Sequence, residues 1–288
     1  MNVNYIAPHT PWEHYSHKKE HLDLYKDCDY EKYYPHLENH PWAVASSKSY
    51  NSDEKREWLF SGYEAAMTAM DEGIGKIIDK VKELGIYENT VFIFTSDNGF
   101  NLGHHGIFGK GNGTFPTNVY EEAIKVPFIT SWKNHFTENE RNDSFISHYD
   151  LFSTILDIAQ IDYNLSDKQP GKSFYKLLNG EEAERTEDVF IYDEYGDTRM
   201  LRTKKYKYAD RSDAALCELY DLENDPNETV NLIYNDNYKD IKESLKAQLE
   251  AWFSKHMNEI RDSRITPATG SGQLLFYEDE DKENIFFH

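Results

Sequence analysis

Regularly spaced apolar residues predict one long helix followed directly by one buried strand. The helix begins after Ser52, whose side chain can cap it, and Gly85 is placed to end it. The next apolar run, TVFIFTS at residues 90–96, is rich in β-branched and aromatic residues and is typical of a strand buried on both faces. The helix carries an apolar stripe that we interpret as core packing, made of Met67, Met70, Ile74, Ile77, Ile78, Val81 and Leu84.

Further elements flank this helix and strand. Residues 3–7 (VNYIA) predict a short strand, and residues 10–50 predict an ordered loop with short helices. Residues 125–130 (KVPFIT) predict a second buried strand, and residues 147–161 predict a helix with one apolar face. Helices alternating with buried strands indicate an α/β fold, in which ligands bind beyond the carboxyl ends of the strands.

The pattern changes near residue 188. Short alternating segments separated by turns predict antiparallel strands at residues 188–196, 198–210 and 217–226, and residues 236–260 predict a long amphipathic helix. We therefore expect an α/β domain at 1–187 and a small α+β subdomain at 188–288. The charge run at 277–284 (YEDEDKEN) is typical of a solvated terminus.

Composition narrows the possible partners. Hydrophobic residues make up 39% of the 288 residues and aromatic residues 15%, which is enough for a packed core. A formal net charge of -21 disfavours nucleic acid and anionic membranes as partners. No apolar run approaches the ~20 residues of a membrane span, and the start has no signal-peptide pattern. Cys28 and Cys217 have no metal or redox spacing, so no disulfide framework is predicted.

Asp97 and Asn98 follow the predicted strand directly. A carboxylate and an amide oxygen suit Ca²⁺ or Mg²⁺, and Gly99 lets the chain turn close to a ligand. Lys110, between two glycines, can act as a point charge on an anionic oxygen. The alternative is a plain strand-to-loop turn, because Asp-Asn-Gly is good turn chemistry and short motifs often match by chance.

Three histidines leave similar alternatives open. His104 and His105 are adjacent, so one faces a site while the other faces away. Zinc would need more nitrogen or sulfur ligands than their surroundings offer. His9 lies in a loop stiffened by Pro8 and Pro11, where it is either a structural histidine or a hydrogen-bond donor and general acid.

Several segments, in order along nearly the whole chain, resemble the sulfatases of the alkaline-phosphatase superfamily. They are APHTPW, MDEGIGKIIDKVKELGIYENTVFIFTSDNG, GHHGIFGKGNGTFPTNVYEEAIKVPFI, SHYDLFSTILDIAQI, GKSFYKLLNGE, RMLRTKKYKY and ELYDLENDPNETVNL. The resemblance implies an alkaline-phosphatase-like α/β sandwich, present in part, with a mostly parallel or mixed sheet and flanking helices. It also implies a small C-terminal α+β subdomain with an antiparallel sheet.

The resemblance also implies roles for five residues. Asp97 and Asn98 would ligate a divalent cation, usually Ca²⁺ in this family. Lys110 would hold a sulfate oxygen, and His105 would line the substrate side. His9 would hydrogen-bond the sulfate or help to protonate the leaving oxygen. Such groups neutralise charge on the sulfate and assist the departing oxygen, as ester cleavage requires.

The family's nucleophile motif is not in this sequence. That nucleophile is a formylglycine made in a Cys/Ser-x-Pro-x-Arg motif, and neither Cys28 nor Cys217 nor any serine is followed by it. The family's early Asp-Asp pair and its middle Lys and His are also missing. We therefore expect the chain to be the C-terminal portion of a sulfatase, incomplete for catalysis and weak in Ca²⁺ binding.

These residues and the family resemblance leave three alternative functions. The first is sulfuric ester hydrolysis at the level of the parent family, with the missing N-terminal half or a second copy as partner. The second is a non-catalytic protein that binds a sulfated glycan, a sulfated small molecule or a partner chain. The third is a related phosphonate or phosphate ester hydrolase, which the Asp-Asn pair disfavours because many such relatives have Asp-His there.

Overall fold

The computed structural model describes residues 1–183, 188–193, 196–257 and 262–265, without the side chains of residues 53, 54 and 57. Contacts divide the chain into two compact units, Met1–His135 and Phe136–His288. The domain boundary predicted between residues 187 and 188 stays a prediction. The charge run predicted at 277–284 lies outside the described residues.

The described residues form short and long helices and three small sheets. The α-helices are α1 (Lys19–Leu22), α2 (Ala45–Tyr50), α3 (Asp53–Glu83), α4 (Glu121–Ile124), α5 (Leu151–Ile158), α6 (Tyr175–Leu178) and α7 (Lys239–His256). The strands are β1 (Phe92–Thr95), β2 (Asn101–Leu102), β3 (Phe108–Gly109), β4 (Phe128–Ser131), β5 (Val189–Tyr192), β6 (Arg199–Arg202), β7 (Tyr206–Asp210) and β8 (Glu218–Asp221). Short 3-10 helices lie at His14–Ser16, Tyr30–Lys32, Tyr87–Asn89, His104–Gly106, Gly111–Gly113, His148–Asp150, Ala214–Leu216 and Asp236–Tyr238.

Helix α3 confirms the long helix predicted from the sequence. Gly85 takes a left-handed conformation (φ 71°) just beyond its end, as expected of a helix stop, and its N–H donates to the Lys82 carbonyl at 2.9 Å. Ser52 occupies the N-cap position, but its hydroxyl donates to the Ser49 carbonyl and does not cap the helix. The predicted side-chain cap is therefore wrong.

The core of the first unit lies against the N-terminal half of α3. Phe60 is fully buried there and packs with Tyr30, Leu102 and Phe108. The stripe interpreted as core lies in the other half, and of its residues Met70 is buried while Leu84 is 59% exposed. The residues between them are partly exposed, so the first unit covers this half of the helix incompletely.

Strands β1 and β4 form a two-stranded antiparallel sheet that aligns Phe94 with Ile129 and Ile93 with Thr130. Residues aligned in this way share a face, so Ile129 and Ile93 lie on opposite faces. Ile129 is 62% exposed and Ile93 is 37% exposed. The strand at 90–96 is thus confirmed over four residues, but burial on both faces is wrong for the described chain, because neither face is fully covered. The strand predicted at residues 3–7 does not form, and its apolar side chains are largely exposed.

The second unit contains the predicted antiparallel sheet, with strand order β5-β6-β7-β8. Helix α7 packs on this sheet through Leu245, Leu249 and Phe253, which meet Leu201 and Leu219 in one hydrophobic core. The predicted strands and the long helix are therefore confirmed. No described helix is both long and apolar enough to cross a bilayer.

Candidate active site

Asp97 and Asn98 lie two and three residues beyond the end of β1. The backbone N–H of Asn98 donates to Oδ1 of Asp97 at 2.9 Å, and Nδ2 of Asn98 donates to the Gly99 carbonyl at 2.9 Å. Oδ2 of Asp97 and Oδ1 of Asn98 are left without a hydrogen-bond donor among the described residues. The predicted turn thus exists, and it leaves two hard oxygen atoms that fit a Ca²⁺ or Mg²⁺ ion.

Gly99 fixes this turn against helix α4. Its N–H donates to the Ala123 carbonyl at 2.9 Å, and a Cβ atom on Gly99 would lie 2.0 Å from the Glu122 carbonyl oxygen. No side chain fits in that space. The close approach of two backbones therefore requires glycine here, and it brings the Asp97–Asn98 turn to the start of α4.

Lys110 lies on a loop held by a buried asparagine. Asn118, 2% exposed, donates from Nδ2 to the carbonyls of Lys110 and Gly111 at 3.3 and 2.9 Å. The Lys110 side chain is partly exposed, and its ammonium has no hydrogen-bond or ion-pair partner in the described part of the chain. A fixed backbone with a free cation suits the binding of an anionic oxygen.

His105 is held on two sides. Its ring stacks on the buried Tyr120 ring with centroids 3.7 Å apart and planes 7° apart, and its Nε2 lies 3.3 Å from Oε2 of Glu122. Its backbone takes a left-handed conformation (φ 56°), which is uncommon outside glycine. Tyr120 in turn contacts Nε2 of His40 through its hydroxyl at 3.2 Å.

Burial and hydrogen bonding act in opposite directions on Glu122. Burial alone would raise the pKa of its carboxyl group, but the hydrogen bond with His105, the Glu122 backbone N–H and the nearby His104 bring that pKa down to about 2. Burial lowers the pKa of His104, whose Nδ1 has no partner among the described atoms. Of the two adjacent histidines, His105 is the one that contacts the Glu122 carboxylate directly.

His9 is exposed in a loop after the N-terminal segment. Its Nδ1 lies 3.0 Å from the Thr10 carbonyl, and its N–H donates to the Ile6 carbonyl. The loop is anchored by Trp12, whose indole N–H donates to the Pro8 carbonyl at 2.7 Å and whose ring meets Phe100 edge-on at 5.4 Å. Phe100 follows Gly99, so this anchor reaches the Asp97–Asn98 turn, but His9 makes no bond to the other four candidate residues.

One short segment, residues 118–123, connects these parts. Asn118 bonds the Lys110 loop, Tyr120 and Glu122 hold His105, and Ala123 accepts from Gly99 beside the Asp97–Asn98 turn. Sequence reasoning did not identify any of these four contacts. The only signal was local, a polar NVYEE run before an apolar strand.

Comparison with known proteins decides the family. The sulfatase family profile matches residues 5–161, more than half of the chain. The chain belongs to the sulfatase family. A second profile, N-sulphoglucosamine sulphohydrolase, C-terminal, matches residues 103–255 of this sulfatase chain.

Individual relatives agree with that assignment. An arylsulfatase of Clostridium perfringens is 27% identical over 256 residues, covering 83% of this chain and 50% of its own length. A protein solved in complex with its substrate D-glucosamine-2-N,6-O-disulfate superposes with a TM-score of 0.64 at 25% identity, covering 73% of this chain and 43% of its own. A phosphonate monoester hydrolase of Agrobacterium radiobacter shares the fold with a TM-score of 0.63 at 21% identity, covering 72% and 43%.

These matches confirm the predicted alkaline-phosphatase-like α/β fold. The mostly parallel or mixed sheet predicted with it is not seen in the described residues, whose named strands all pair antiparallel. Sulfatases generally use a divalent metal ion. The sulfatase chain spans about half the length of the first curated relatives or less, 50%, 48% and 38% of three of them.

Proposed function

We propose that this chain carries the metal-binding and sulfate-binding side of a sulfatase site and takes part in the hydrolysis of a sulfate ester. The observation that carries the proposal is the shared anchoring of the Asp97–Asn98 turn and the Lys110 loop on residues 118–123. The turn offers two free oxygen atoms and the loop offers a free ammonium, which together suit a cation and an anionic ester.

Each side chain has a separate task in this proposal. Asp97 and Asn98 ligate a divalent cation, Ca²⁺ by family resemblance, which when bound neutralises charge on the sulfate oxygens. Lys110 holds one sulfate oxygen. His105 lines the substrate side, with its ring fixed by stacking on Tyr120.

His9 hydrogen-bonds the sulfate or gives a proton to the leaving oxygen. Its loop is held by the hydrogen bond from Trp12 to the Pro8 carbonyl, and the His9 ring is exposed. A histidine is suited to this transfer because its pKa ordinarily lies near neutral pH.

The remaining groups come from elsewhere. The sequence has no Cys/Ser-x-Pro-x-Arg motif, so a formylglycine nucleophile and further metal carboxylates must come from an N-terminal half or another partner chain. Exposed apolar side chains on both faces of the β1–β4 sheet support a partner of this kind. The substrate is a sulfated small molecule or glycan, the class bound by the similar protein solved with a disulfated glucosamine.

Calcium titration tests the metal site. The 288-residue chain should bind Ca²⁺ with a dissociation constant on the order of 10⁻⁴ M or weaker, because two protein ligands and one charge make a poor site. Asp97→Asn should weaken that binding about tenfold or more, since affinity rises with ligand charge. Asp71→Asn, at an exposed position of α3, is the matched control. Equal affinities in both variants would refute the metal site.

Sulfate binding tests the lysine. An aryl sulfate in the presence of Ca²⁺ should bind the wild-type chain without turnover, and Lys110→Gln should weaken that binding about tenfold, as expected for a charge-assisted contact. Lys125→Gln, exposed and in the same unit, should leave binding unchanged. Turnover by the chain alone would disprove its dependence on a partner.

The non-catalytic alternative rests on the missing nucleophile motif. A degenerate sulfatase would bind a sulfated glycan or partner chain and never hydrolyse an ester. Genomic sequence upstream of Met1 separates the two functions. A Cys/Ser-x-Pro-x-Arg motif and an Asp-Asp strand there support the hydrolase, and their absence supports the binding protein.

A further inference from the structure

A cleft of about 250 Å³ lies entirely within the second unit. Its walls come from residues 145–150, residues 169–172, the start of strand β5 and the last turn of helix α7. None of the five candidate site residues belongs to this unit. The cleft therefore needs its own explanation.

One wall of the cleft is aromatic and rigid. The Trp252 ring stacks on Phe190 with centroids 4.7 Å apart and planes 8° apart, and Tyr149 lies 6.2 Å away. His256 contacts the same indole and its Nδ1 lies 2.6 Å from the Lys168 carbonyl, which ties α7 to the loop at residues 169–172. Trp252 is only partly buried, so part of its indole is open to the cleft.

The lining also includes Lys172 and Asp188, which both have interactions within the protein. The other polar groups are either part of the folded framework or free to bind a ligand. Asp150 is buried, and its two oxygens accept from the backbone N–H groups of Ser147 and Lys172 at 2.9 and 2.7 Å. Its charge is therefore used within the protein. Lys255 is exposed at the cleft and has no ion-pair or hydrogen-bond partner in the described ranges. A free ammonium beside an aromatic wall stands out in a chain of net charge -21.

We propose that this cleft binds one anionic sugar unit, independently of the sulfatase site. A sugar ring has a flat apolar face that packs on an aromatic side chain, and its charged substituent would meet Lys255. The cleft is smaller than the ~300–1,000 Å³ typical of pockets for drug-sized ligands, which suits a single ring. Gln169 adds an exposed amide that can donate to and accept from sugar hydroxyls.

The binding experiment uses the full chain with Lys110→Gln, so that binding at the sulfatase site is weakened. N-acetylglucosamine 6-sulfate is titrated while the indole N–H resonance of Trp252 is followed, assigned by its loss in Trp252→Phe. We expect a saturable shift of that resonance. Failure of the sulfatase proposal would leave this shift untouched, because the two sites share no residue.

Substitution of the lysine then tests the recognition of charge. Lys255→Gln should weaken binding about tenfold, the order expected for one charge-assisted hydrogen bond. Lys246→Gln, on the same helix and paired with Glu250, is the control and should bind as before. Circular dichroism should show that both variants keep their fold.

Three results would overturn the proposal. The first is no shift of the Trp252 resonance at millimolar ligand. The second is equal affinity for N-acetylglucosamine, which would mean that the anion is not recognised. The third is equal affinity for inorganic sulfate, which would mean that the ring is not recognised.

Discussion

Candidate side chains can be chosen from the sequence alone, because their chemistry follows from residue type and spacing. Asp97, Asn98 and Lys110 were identified from a strand end and a glycine loop, and the structure leaves each with a free polar atom. The partners of His105 could not be predicted in the same way. Tyr120 and Glu122 lie more than a dozen residues away in sequence. No local pattern predicts that a ring will stack, or an ion pair will form, between two loops.

Acid should weaken the first unit through Glu122. Its pKa is about 2 in the folded chain and would return to its ordinary value of 4.5 on unfolding, so the unfolded chain binds the proton first as pH falls. The stabilisation is complete above about pH 5 and is lost between there and pH 2. We expect Glu122→Gln to be less stable at pH 7 but to lose less stability on acidification.

Urea unfolding at pH 7, 5 and 3 measures this difference. Glu88→Gln, at an exposed position of the same unit, should follow the wild-type pH profile. If the unfolding free energies of the wild type and Glu122→Gln fall by the same amount down to pH 3, the carboxylate does not stabilise the His105 loop.

Gly99 should tolerate no side chain. Gly99→Ala puts a Cβ atom against the Glu122 carbonyl at 2.0 Å, so the turn must separate from α4. We expect a loss of about 1–3 kcal/mol of unfolding free energy, the usual cost of overpacking, together with weaker Ca²⁺ binding. Gly75→Ala is the control, because a Cβ there meets nothing within 4 Å and lies inside a helix. It should be neutral or stabilising, and equal losses in both variants would contradict the steric argument.

The sequence predicted helices and strands well where the periodic apolar pattern was long and the packing partners were close in sequence. Helices α3 and α7 and the four strands of the second unit fall within the predicted segments. Prediction failed where the burial of a residue depends on parts of the chain that are distant in sequence. Residues 3–7 have strand composition but no strand to pair with in the described chain, and Leu84 has helical spacing but little cover. A local sequence pattern indicates the conformation that a residue favours, whereas its tertiary contacts determine whether it is buried.

Strand β7 depends on a buried ion pair. Nζ of Lys207 lies 2.7 Å from Oε1 of Glu228, with side chains 0% and 1% exposed. Lys207→Met removes this cation from beside a buried carboxylate, so we expect a loss of about 3–5 kcal/mol in thermal or urea unfolding. The double variant Lys207→Met with Glu228→Gln should recover part of that loss, because no uncompensated charge remains.

A neighbouring exposed pair provides the control. Lys205 and Glu223 are also 2.7 Å apart, but their side chains are 43% and 66% exposed, so solvent replaces the lost contact. Lys205→Met should therefore leave stability nearly unchanged. A similar loss in both single variants would mean that burial does not set the cost.

The two compact units differ in how far the described residues cover their sheets. In the second unit, α7 covers its sheet and forms a closed core. In the first unit, the β1–β4 sheet has an exposed isoleucine on each face, and the adjoining half of α3 is only partly covered. The apolar sequence of β1 predicts burial on both faces of the strand. The described residues do not fully cover either face. Together with a span of half its relatives' length, this supports association with another chain.

We therefore expect copies of the chain to associate through the β1–β4 sheet, to an extent that rises with concentration. Burying an isoleucine contributes about 1.5–3 kcal/mol, so Ile129→Lys, at a position 62% exposed, should raise the dissociation constant of any complex by roughly tenfold or more. Sedimentation velocity of the chain over a range of concentrations measures this. Ile161→Lys, 54% exposed in the second unit, is the matched control and should associate like the wild type. A wild-type chain that stays monomeric at all concentrations, or two variants that behave alike, would show that the exposed sheet does not bind a second copy. The N-terminal half of a sulfatase would then be the partner to test on the same face, with Ile129→Lys again expected to weaken the complex.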